Sequence, residues 1–169
     1  RQDAETIVKE SIREVQPDKA VVRALEENPL SGRIRLVAVG KAAWQMAKTA
    51  AGFLGDKLEK GIVVTKYGHV QGEIPGVECY EGGHPVPDEG SFCGTRKALK
   101  LTEGLTSEDT VLFLLSGGGS ALFELPLIPP EELQDLTRQL LACGADIVEI
   151  NTLRKRLSAV KGGRFAEHC

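Results

Sequence analysis

A chain of 169 residues is long enough for one ordinary domain with a sizeable core. Charged residues at 27% and hydrophobic ones at 41% place it among globular chains, and no apolar stretch approaches the roughly 20 residues of a membrane-spanning helix. The net charge of −3 gives no electrostatic reason to expect nucleic acid or an anionic membrane as partner. Cys79, Cys93, Cys143 and Cys169 lack CxxC spacing, so neither a zinc site nor a disulfide framework is indicated. Buried free thiols of a reducing cytoplasm are the expectation. The acidic, polar start (RQDAE) does not read as a signal peptide.

Ile7, Val8, Ile12 and Val15 fall at helical spacing, so an amphipathic helix ending near Pro17 is expected. Residues 33–39 (RIRLVAV) read as a first strand. Gly40 turns the chain, and the Ala-rich residues 41–54 read as a helix. Residues 61–65 (GIVVT) form a second strand, and residues 66–75, with Gly68, Gly72 and Pro75, a loop. Residues 77–80 (VECY) are a short third strand, and Asp88 begins a helix running towards Leu105. Residues 111–115 (VLFLL) read as a buried fourth strand. Pro130 with Glu131 and Glu132 opens another helix, with proline in the first turn and acids at the positive end of the dipole. This βαβ rhythm predicts an α/β fold with a doubly wound, mostly parallel sheet flanked by helices. The chain stops just after the pair Gly162-Gly163, as a domain cut from a longer protein would.

Ligand sites in such sheets lie beyond the carboxyl ends of the strands. The most informative run there is Ser116, Gly117, Gly118, Gly119 and Ser120, directly after the fourth strand. Three glycines let the backbone turn sharply and bring bare N–H groups close to a phosphate or carboxylate. A tight strand-to-helix turn without a ligand would use the same residues. Lys41 follows the first strand, where an ammonium opposes the positive end of a helix dipole by up to about 1 kcal/mol. It either reaches forward to an anion or is solvated.

Thr65, Lys66, Tyr67, Gly68 and His69 place a cation, a phenol and an imidazole after the second strand, or simply make a polar loop. After the third strand, Pro85 and Pro87 fix an extended path, and Asp88 suits a helix N-cap. His84 is left either to hydrogen-bond structurally or to bind substrate. In residues 151–164, Arg154, Ser158 and Lys161 share one face if the segment is helical, opposite Ile147, Ile150, Leu153 and Leu157. That cationic stripe is either a solvated face or an anion site. No GxxxxGK[ST] phosphate loop, GxGxxG turn, GxSxG elbow or HExxH occurs, which excludes a Walker-type kinase and weakens a dinucleotide-binding reading.

VAVGKAA at 37–43, VVTKYGH at 63–69, GGHPVPDEGS at 82–91, LLSGGGSAL at 114–122 and EINTLRKRLSAVKGGR at 149–164 resemble, in this order, the MOFRL-type glycerate kinases. The resemblance covers the chain from about residue 33 and implies the Rossmann-like N-terminal domain of a two-domain enzyme, with a C-terminal MOFRL domain absent. It further implies phosphorylation of D-glycerate to 2-phosphoglycerate by ATP, with Mg²⁺ accompanying the nucleotide, in a cleft between the two domains. Lys41 would then be catalytic. Ser116 to Ser120 would hold phosphate or substrate oxygens, and His84 and Asp88 would border the substrate pocket. Arg154 and Lys161 would bind anions across the cleft, and no residue would form a metal cage. Two other readings stand beside it: a hydroxypyruvate reductase using a nicotinamide cofactor, and a non-catalytic domain that binds sugar phosphates or organic acids.

Overall fold

The computed structural model describes residues 2–117, 119–144 and 146–169. Four parallel strands make one sheet in the order β3-β2-β1-β4, with β1 Arg33–Val39, β2 Leu58–Lys66, β3 Val77–Gly82 and β4 Asp109–Leu115. Alternation along the strands sorts the core into two layers. Leu36, Ala38 and Val63 face α3 (Ala43–Leu54), where Trp44 and Ala47 pack on them. Val37, Val39, Ile62 and Val64 face the other way, towards Ala98 of α4 (Glu89–Leu101) and Leu122 of the short α5 (Gly119–Leu122). Strands apolar on both faces are what a parallel sheet covered on both sides demands. Gly94 lets α4 lie close on the sheet, because a Cβ there would press on Val64 and Tyr80.

The expected opening helix is present, and a second helix follows it. α1 (Gln2–Glu14) is followed by α2 (Pro17–Glu27), with Pro17 in its first turn. Proline there starts a helix at no cost, since its missing N–H has no partner to lose. α2 buries Val21 and Leu25 against the α3 layer and joins it through Asp18, which accepts from Gln45 Nε2 at 2.6 Å and Thr49 Oγ1 at 2.7 Å. On α1, by contrast, Ile7, Val8 and Ile12 stay exposed.

The β2–β3 connection is the expected loop: residues 67–76 cross without a helix, pinned by Trp44 Nε1 donating to the Gly72 carbonyl at 2.9 Å and by the burial of Ile74. Two expectations are corrected. β4 is not a buried strand. It is an edge strand among the described residues, with Phe113 37% and Leu115 62% exposed. Its Leu112 and Leu114 pack towards α3, whereas Phe113 meets the rings of Phe123 and Phe165, at 5.5 and 5.4 Å. Of the four cysteines, all free, Cys143 and Cys169 are exposed and Cys79 and Cys93 only half-buried.

The remaining helices are α6 (Pro130–Ala142), α7 (Ile147–Arg156) and α8 (Arg164–His168). No helix among the described residues is long and apolar enough to cross a membrane.

Candidate active site

The strand order makes β1 the switch point: the chain leaves β1 towards β2, and β4 returns to pair on the other side of β1. Loops at such a point part and leave a crevice. The two loops here are Gly40–Ala42 after β1 and the turn beginning at Ser116 after β4, and they are stitched together. Ser116 N–H donates to the Val39 carbonyl at 2.9 Å, Lys41 N–H to the Gly117 carbonyl at 3.2 Å, and Ala42 N–H to Ser116 Oγ at 3.0 Å. Gly40 sits at φ 115°, and a Cβ there would collide with Ser116. Only glycine meets both demands. From the β2 side, buried Thr65 donates its hydroxyl to the Gly40 carbonyl at 2.9 Å.

Lys41 therefore lies in a clamped loop two residues ahead of α3, not in its first turn as expected. Its backbone is held while its side chain is exposed. His84 is half-buried, and burial first, then the fields of Lys41, Lys66 and Arg154, push its imidazole below the ordinary pKa. These groups converge from the ends of β1, β2 and β3 and from α7. His84, Ser120 and Arg154 also line a small cavity of ≈ 110 Å³ roofed by Thr137 and Leu140 of α6.

Other expected ligand groups are engaged within the protein. The Ser116 hydroxyl accepts from Ala42 N–H and lies 3.4 Å from the Val39 carbonyl it can donate to. Gly117 gives its carbonyl to Lys41, Gly119 is buried at the start of α5, and Ser120 is exposed; Gly118 lies outside the described residues. Asp88 Oδ1 accepts from Gly83, Gly90 and Ser91 N–H at 2.9, 3.1 and 3.3 Å, and Oδ2 accepts from the Tyr67 hydroxyl at 2.9 Å. Asp88 is thus the N-cap of α4 and a tie to the β2–β3 loop.

The expected cationic face of residues 151–164 is not a helix face. α7 ends at Arg156, and Ser158 bridges to Pro126. Its polarity is also inverted: Ile147 is 67% exposed, whereas Arg154 is buried. The cause is Glu124, fully buried just after α5, which the sequence reading did not select. Lys161 Nζ lies 2.8 Å from Glu124 Oε2 and donates to the Phe123 carbonyl at 2.6 Å. Arg154 donates to the Ser120 carbonyl at 3.1 Å and stands 3.8 Å from Glu124 Oε2. Burial lowers both cations' pKa, and Glu124 opposes that. The carboxylate had one legible signal, a lone acid inside the apolar run ALFELPLI. Buried charges come in pairs. No group of three His, Cys, Asp or Glu side chains able to hold a metal occurs among the described residues.

Known proteins resemble this arrangement over nearly its whole length. Residues 3–169 match the family described as "Domain of unknown function (DUF4147)". The chain is 61% identical over 163 residues to the D-glycerate 2-kinase of Thermotoga maritima, covering 95% of the chain and 39% of that relative. It is 40% identical over 170 residues to a protein of Agrobacterium vitis that carries, with a qualifier, the name of a hydroxypyruvate reductase, covering 98% and 38%. A crystal structure of glycerate kinase from Thermotoga maritima superposes with a TM-score of 0.90 at 60% identity, covering 98% of the chain and 40% of that structure. The chain spans about two fifths of the length of these relatives.

Proposed function

Since the chain belongs to the DUF4147 family, as a glycerate kinase domain of the MOFRL type, we propose that the protein carrying it transfers the γ-phosphoryl group of ATP to the 2-hydroxyl of D-glycerate, releasing ADP and 2-phosphoglycerate. The observation that carries this reading is the convergence of Lys41, Lys66 and Arg154 on half-buried His84 at the strand ends. Both substrates bring anionic groups, a triphosphate and a carboxylate, and a crevice rimmed by cations suits them. Phosphoryl transfer asks a protein chiefly to position oxygens and to neutralise charge on the moving group.

Lys41 has the freedom and the anchorage for that work: its ammonium is exposed and its backbone is tied to both neighbouring loops. It neutralises the transferring phosphoryl or the carboxylate. Ser120 and the turn that begins at Ser116 orient substrate oxygens, while His84, held towards its neutral form, lends a hydrogen bond without adding repulsion to the cations. Arg154 supports this rim from below through the Ser120 carbonyl. The described residues fit the phosphates of ATP but offer no carboxylate cage for Mg²⁺, which would arrive on those phosphates. We place these residues in an N-terminal domain whose cleft a second domain completes.

The test is a coupled assay on the full-length protein with ATP and D-glycerate. ADP release that depends on glycerate is expected, and Lys41→Ala should lower kcat by about 10²- to 10³-fold with the fold preserved. The name carried by the Agrobacterium vitis relative gives the competing reaction. NADH oxidation with hydroxypyruvate, and no glycerate-dependent ADP, would replace the kinase reading with a reductase.

A further inference from the structure

His69 lies outside every role assigned so far, yet it touches the proposed catalytic segment directly. Its Nδ1 is 2.9 Å from the Lys41 carbonyl oxygen. A carbonyl only accepts, so Nδ1 carries the proton and the ring donates. The opposite edge of the same residue's backbone, the Lys41 N–H, is engaged by Gly117 at 3.2 Å. Lys41 is thus held by the β4 loop at its N–H and by the β2–β3 loop at its C=O.

The His69 turn is itself built to hold still. His69 N–H donates to the Lys66 carbonyl at 3.1 Å and to Glu81 Oε1 at 2.9 Å, and Val70 N–H reaches the same oxygen at 2.9 Å. Those backbone donors, Val70's first, keep the Glu81 carboxyl below its usual range. Glu81 stands on β3, so the sheet itself fixes the turn. The Tyr67–Asp88 hydrogen bond ties the turn's other side to the cap of α4. A flexible surface loop would need none of these contacts.

We propose that His69 is a positioning residue for the phosphoryl transfer, holding the Lys41 backbone through Nδ1–H to the Lys41 carbonyl, with Glu81 as the support of its turn. The proposal rests on the reading of Lys41 as the group that neutralises charge in the reaction. Freed at its carbonyl, the Lys41 peptide can rotate, and the ammonium at the end of its four-carbon stem moves with it. Displacement of a positioned group by about 1 Å is worth up to about 10²-fold in rate.

The experiment compares His69→Ala, His69→Asn and Lys41→Ala in the full-length protein, with kcat and KM for ATP and D-glycerate. Asn keeps an N–H donor at the Nδ1 distance from the backbone, and Ala has none. His69→Ala is expected to lose about 10- to 100-fold in kcat with KM values little changed, and His69→Asn to recover most of that loss. Alongside, ¹⁵N spectra of the wild-type imidazoles should show His69 protonated at Nδ1 in the neutral ring. If both His69 variants keep wild-type kcat while Lys41→Ala is inactive, or if both lose equally, the proposal falls. A proton on Nε2 instead of Nδ1 overturns it whatever the variants do. Should His69→Ala fail to fold, His69→Asn and the tautomer decide. Wild-type kcat in Lys41→Ala would strike the functional reading of Lys41, which the tautomer measurement tells apart from a wrong hydrogen bond.

Discussion

His84 has a titration that reports on the crevice. Burial, then Lys41, Lys66 and Arg154, hold its pKa below the ordinary 6.5. A depressed histidine pKa favours the folded state fully above the unfolded value, and that contribution is lost as pH falls from 6.5 through the folded pKa. An anion bound among the same cations supplies the missing counter-charge. The His84 ring titration, followed by proton NMR, should therefore start below 6.5 and move up when D-glycerate or inorganic phosphate saturates the site. No movement at saturation would put the anion elsewhere. Position beside a strand end made Lys41 and His84 selectable from the sequence, and the structure has both there. The engagement of Ser116 and Asp88 was not legible in the same way. Each offers oxygens suited to a ligand, and only the fold reveals which backbone N–H groups reach them first.

Elements with their own start signals were readable: α6 opens at Pro130 ahead of two acids, and α4 follows its Asp88 cap. α7 was misread because its pattern of apolar residues does not mark a buried side. The decisive partner, Glu124, comes from another part of the chain, and a buried carboxylate draws in Arg154 and Lys161 against the local pattern. That cluster ties α7 and the segment after it to the end of α5. Removing one member of a buried charge group leaves the others uncompensated, so Glu124→Ala should destabilise the protein by about 3–5 kcal/mol. Urea unfolding measures it, with exposed Arg156→Ala as a control expected to stay within about 0.5 kcal/mol. A shift in Glu124→Ala no larger than the control's would show the cluster to be incidental to stability.

The α/β class and the parallel sheet were legible in the alternation of apolar strands and helices, because that periodicity is a property of neighbouring residues. The exposure of β4 was not, since it depends on what lies beside the strand and not on the strand's own residues. Leu141, Ile147 and Val148 are likewise exposed, at 51%, 67% and 69%. With the cleft shared between domains as proposed, the 169-residue chain expressed alone should show no glycerate-dependent ADP release, while the full-length protein does. Full turnover by the short chain would end that division of labour. The open side of β4 has a consequence of another kind. Its sequence DTVLFLL, without proline and with one charge, is of the type that templates cross-β stacking of identical chains. Proteins usually guard such edges with a charge that repels a second copy. Here that charge is Asp109, and Arg33 already neutralises it through paired hydrogen bonds of 2.6 and 2.9 Å. That pairing leaves the edge without a net repelling charge, which favours self-pairing along β4 wherever it is uncovered.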